Sequence, residues 1–157
     1  MLRVRLLTVG LIIIIFGAIG AVNPEIGWVK TAIGDFQRSS LIRLHVIANS
    51  DSREDQLLKL KVRDRIIKAT GPILLEVEDP VQAEAWIRKH RELLVRVAQD
   101  ELRLNRRPMV VKITYGKQLF PERAYPFGIL PARDYKAVRV ILGEGKGKNW
   151  WCVLYPP

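Results

Sequence analysis

Seventeen successive residues without a charge, Leu6 to Val22, follow Arg3 and Arg5. A run that is apolar on every side cannot supply a half-buried helix or strand, so it stands apart from whatever the remaining chain folds into. Basic head, apolar centre and the small residues Ala18, Gly20 and Ala21 make the layout of a secretory signal or short membrane anchor, with removal expected after Gly20. As a helix the run reaches ~26 Å, short of a ~30 Å hydrocarbon core, which favours removal over a permanent span. The two arginines stay on the cytoplasmic side, and everything after Val22 is sent across the membrane.

Behind residues 1–22 about 135 residues remain, enough for one compact domain. Residues 23–40 mix Pro, Gly and polar side chains with scattered apolar ones and read as a tether, leaving 41–157 as the domain. Lys and Arg outnumber Asp and Glu by 26 to 16, and without Arg3 and Arg5 the net charge is still +8. For an exported chain that excess points to an anionic membrane surface or wall polymer and away from nucleic acid. Cys152 is the single cysteine, so an internal disulfide is excluded and a zinc site is limited to one thiolate.

The segment Leu41 to Ala48 reads as a strand, with Ile42, Leu44, Val46 and Ala48 on one face and Arg43 and His45 on the other. Next comes Asn49-Ser50-Asp51-Ser52, whose side chains bond readily to nearby backbone, with Ser52 as N-cap and Asp55 three residues on. Acids in the first turn and bases in the last predict a helix from about Arg53 to Ala69, closed by Gly71-Pro72. A second helix is expected from Asp79-Pro80 to about Leu104. Met109 to Tyr115, Tyr135 to Leu142 and Trp150 to Tyr155 read as strands, the last two forming a hairpin across the glycine-rich segment that starts at Gly143. This order predicts an α+β fold: a mostly antiparallel sheet with two helices packed on one face, preceded by an N-terminal signal or anchor helix.

Chemistry-bearing patterns are few. The loop from Gly143 to Asn149 has glycines that could let backbone approach a phosphate, but Gly147-Lys148 leads into Asn149 and a strand, without the Ser or Thr and helix of a P-loop. The same absence of a following helix excludes a dinucleotide fingerprint, so no cofactor is expected. Two histidines, one cysteine and no spaced acidic cluster argue against a metal. His45 with Asp51 or Cys152 holds the residue types of a hydrolase, yet no Gly-x-Ser-x-Gly elbow surrounds Ser50 or Ser52. The bases of the first helix alternate and so spread around its axis, a solvated pattern and not a nucleic-acid stripe. Trp150 and Trp151 must point to opposite faces of their strand, which leaves one of them for docking.

Three blocks carry a resemblance. The first runs from Ile42-Arg43-Leu44-His45 through Asn49-Ser50-Asp51-Ser52 and Glu54-Asp55-Gln56 to Asp64; the second is Phe120-Pro121-Glu122-Arg123-Ala124-Tyr125; the third spans Pro131-Ala132, Tyr135, Ala137-Val138-Arg139-Val140 and the glycines, ending in Asn149-Trp150-Trp151-Cys152 and Pro156-Pro157. Together they resemble the stage II sporulation protein R family of endospore-forming bacteria, with Arg133 standing where the family pattern has glycine. The resemblance implies a non-enzymatic signal made in the forespore and exported into the space between the two membranes. There it would activate a membrane-embedded aspartic protease of the mother cell, which processes the sigma-E precursor. No catalytic residues come with it. The expected partner-binding set is His45, Asn49, Asp51 and Asp55, with Arg123, Asn149 and Trp150. The competing expectation is a cell-envelope hydrolase using His45 with Asp51 or Cys152.

Overall fold

A computed structural model describes residues 40–157. The signal or anchor expected at 1–22 and nearly all of the tether expected at 23–40 lie outside the described residues. Six strands and three helices follow in the order β1 (Ile42–Ile47), α1 (Arg53–Leu75), α2 (Pro80–Lys89), α3 (Arg91–Leu104), β2 (Val111–Phe120), β3 (Arg123–Tyr125), β4 (Gly128–Leu130), β5 (Arg133–Leu142) and β6 (Asn149–Tyr155). The main sheet has the order β2-β5-β1-β6, and β3 pairs only with β4. β1 runs parallel to β5, while β1/β6 and β2/β5 are antiparallel, so the α+β, mostly antiparallel expectation holds.

The predicted hairpin between the last two long strands is not formed, because β1 lies between β5 and β6. Crossing one intervening strand means spanning ~10 Å, more than a tight turn covers. The residues from Gly143 to Lys148 do this by folding over the end of β1: Gly147 N–H donates to Ala48 O at 2.9 Å and Lys146 N–H to Asn49 O at 3.1 Å.

Two helices were expected in the domain, and three are found among the described residues. α1 caps as predicted, with Ser52 Oγ accepting from Asp55 N–H, but it runs through Gly71-Pro72 to Leu75. A helix-interior proline costs ~3 kcal/mol, and the buried side chain of Leu74 in the following turn offsets this by joining the core. α2 starts at the predicted cap, Asp79 Oδ1 accepting from Val81 N–H ahead of Pro80. The single long second helix is interrupted at His90, whose backbone N–H and ring Nδ1 both lie against Trp86 O while its ring stacks on Trp86 at 4.3 Å.

All six residues of β1 are buried, so Arg43 and His45 do not face water as their alternation suggests. The sheet has two covered faces. On one, Ile42, Leu44 and Val46 join Val138, Val140 and the helical residues Leu58, Val62, Ile66, Leu94 and Leu102 in the main core. On the other, Phe120, Leu130, Tyr135 and Ala137 form a second cluster with Tyr125, Trp151 and Val153, over which the β3–β4 hairpin lies. Arg133, standing where the family pattern has glycine, opens β5 with its guanidinium 5.0 Å from the Tyr135 ring, and its φ is not positive.

Candidate partner-binding surface

β1 ends in Ala48, and the next four residues pin the sheet to α1. Asp55, in the first turn of α1 and 2% exposed, accepts from Ser50 Oγ at 2.6 Å, Asn49 Nδ2 at 2.8 Å and Arg107 Nη2 at 2.8 Å. The Ser50 hydroxyl, then Asn49 and Arg107, hold its carboxyl below the usual carboxylate range against the opposing effect of burial. The glycine-rich loop docks on the same turn: Asn49 Oδ1 accepts from Glu144 N–H at 2.9 Å, and Asp51 Oδ1 from Lys148 N–H at 2.7 Å. From α1, Lys59 Nζ closes the joint by donating to Lys148 O at 2.9 Å and Gln56 Oε1 at 2.6 Å. A Cβ at Gly147 would stand 2.2 Å from Ser50 O, and one at Gly143, where φ is +55°, 2.1 Å from Asn49 Oδ1. The glycines therefore serve close backbone packing and not an anion.

The predicted residues fall into four places. Asn49, Asp51 and Asp55 meet in this joint, with Asp51 exposed at its rim. Trp150 is partly exposed on the helix side, its ring 4.2 Å from the Arg63 guanidinium. His45 lies on the opposite face, stacked on Trp151 at 3.7 Å and edge-on to Phe120, and the side chain of exposed Asn149 is on this face too. Arg123 is exposed at the start of the β3–β4 hairpin.

A hydrolase is not assembled from the proposed groups. Asp51 spends Oδ1 on the Lys148 amide, and neither ring nitrogen of His45 has a hydrogen-bond partner. Burial pushes the His45 pKa down; the nearby Asn149 side chain opposes this and Arg139 adds to it. Cys152 projects to the helix-side core, its Sγ 3.8 Å from Leu44 O, and burial raises its pKa to about 11. A thiol so held is neither paired with His45 nor a thiolate at neutral pH. Among the described residues no group of His, Cys, Asp and Glu is placed to hold a metal, and no helix is long and apolar enough to cross a membrane.

Sequence reasoning missed Arg43. This fully buried arginine lies among the rings of Phe120, Tyr135 and Tyr125, at 4.3, 4.9 and 5.3 Å. Its Nε donates to Cys152 O at 3.0 Å and Nη2 to Tyr125 Oη at 2.5 Å. The available signal was an arginine inside a branched-apolar strand together with aromatics at 120, 125 and 135; which of them converge was set by pairing distant in sequence.

The stage II sporulation protein R family model matches residues 38–157. A curated relative, the Stage II sporulation protein R of Bacillus subtilis (strain 168), is 34% identical over 116 residues, which is 74% of this chain and 52% of the relative. The chain thus spans about half the length of the curated relative it matches. No solved structure matches.

Proposed function

The chain belongs to the stage II sporulation protein R family, and from that premise we propose that it is an exported signal which activates a membrane-embedded aspartic protease of the mother cell and so leads to processing of the sigma-E precursor. The observation that carries this reading is the family match across the folded domain, since membership makes the chain a sporulation protein. The geometry adds support of a different kind. Asn49 and Asp55 brace the end of the sheet and keep Asp51 and Lys148 in one arrangement, with Asn149 and Trp150 next in β6 on opposite faces.

A ligand of this sort needs no reaction of its own. It has to bind the active state of the receptor better than the inactive one, and a preset surface loses little freedom in doing so. Shifting a receptor from 1:99 to 99:1 takes a preference of about 10⁴-fold, within reach of a few well-placed anchors. The test is reconstitution of the candidate protease and its precursor substrate in vesicles, with this chain added on the outer side. Precursor cleavage that depends on the chain, and falls with Asn149→Ala and Trp150→Ala proteins of unchanged thermal stability, is the expected result. A protease equally active with and without the chain would end this reading.

A further inference from the structure

The face of the sheet that carries the β3–β4 hairpin is electrostatically one-sided. Its strand register sets Thr114 opposite Arg139, Arg139 opposite His45 and His45 opposite Trp151, one continuous row across all four strands. Since side chains alternate along each strand, Lys112, Arg133, Arg139 and Arg43 share this face, and no Asp or Glu of the four strands projects to it. The strand acid closest in register, Asp134, opposes Leu119 and points to the other side.

The same face holds polar atoms without partners. Arg139 Nε and Arg43 Nη1 are buried and make no hydrogen bond, and the ring nitrogens of His45, on a side chain 5% exposed, have only the Asn149 side chain nearby, without hydrogen-bond geometry. Buried donors are ordinarily satisfied, and a concentration of orphans on one face calls for an acceptor from outside. A guanidinium edge wants a planar, charged acceptor, which is a carboxylate. From these observations we propose that the row Thr114, Arg139, His45 and Trp151 is a binding site for a carboxylate side chain of an acidic polypeptide segment. The His45 ring is recessed against Trp151, and half-buried Arg139 next to it in the row is the donor that a side chain extending from its own backbone meets where the flat plane of lipid headgroups does not. Trp151, partly exposed at the end of the row, supplies an apolar wall for the stem of an acidic residue. This goes beyond the activator role, and it is read without any protease, so the two ideas fail separately.

The experiment uses the full chain, isotope-labelled, in detergent micelles. The probe is a short blocked peptide of alternating leucine and glutamate, with the glutamine version and phosphatidylglycerol vesicles as the other arms. Saturable shifts of the Arg139 Nε–H and His45 ring signals with the glutamate peptide are expected, with about tenfold weaker binding by the glutamine peptide and by Arg139→Gln. Thr114→Glu, at a partly exposed strand position, puts an acid on the row itself and should abolish the shifts even where Arg139→Gln fails to fold. Equal binding of both peptides, no saturable shift, or a response to the vesicles alone overturns the proposal.

Discussion

Asp55 shows how one residue type can serve two ends. Its backbone N–H completes the Ser52 cap while its carboxylate gathers Asn49, Ser50 and Arg107, so the signature around it is a structural joint before it is a surface. Asp55→Ala leaves Asn49 and Ser50 without their acceptor, whereas half-exposed Arg107 regains water; the expected loss is about 2–3 kcal/mol in urea unfolding, and a loss under about 1 kcal/mol would contradict the joint. His45 acts on the pH profile instead. Its folded pKa is depressed, so the unfolded chain binds the extra proton: stability is full above the unfolded value of about 6.5 and is lost as pH falls below it. A thermal-midpoint series should show that fall, and His45→Phe, which keeps the ring against Trp151, should flatten it. Local chemistry of this kind was legible: Ser52 and Asp79-Pro80 were found as caps because their partners lie within three residues. Alternation sets Arg43 and His45 on the face opposite Ile42 and Leu44 but cannot show that this face is covered, because the rings covering it arrive from residues 120 to 151.

At the scale of elements, the glycine-rich loop is a strap and not a turn between neighbours. Gly147→Ala forces the Ser50 carbonyl, which is backbone, to move, and should cost about 1–3 kcal/mol by denaturant unfolding. Wild-type stability in that variant would show that the close approach carries no energetic weight. α1 supplies the opposite case. Pro72 lies inside the helix on its exposed side, so Pro72→Ala should stabilise the domain by about 1–3 kcal/mol, the helix continuing either way. The same two elements mark where pattern reading failed. Gly-Pro is a sound stop signal until a buried Leu74 beyond it outweighs the break, and a loop between two strands implies a hairpin only when no third strand has a stronger claim to the space between them. The short strands β3 and β4 escaped notice because three residues are too few to display a period.

The molecule as a whole consists, in its described part, of one sheet with a core on each side, helices over one and a hairpin over the other. Residues 38–157 coincide with the family match and with a compact unit from Arg38 onward. Produced alone, that stretch should unfold in a single transition seen identically by far-ultraviolet dichroism and tryptophan fluorescence. Separate transitions would mean that the two cores do not cooperate. The central position of β1 also governs when this fold can exist. The first of the described strands is bonded on one flank to β5 and on the other to β6, the last two of them to be made. A chain emerging N-terminus first, from a ribosome or through a translocation channel, therefore offers its middle strand without either neighbour until Tyr155 is out. Assembly of this sheet must wait until the last of these strands has appeared, whichever exit the chain takes.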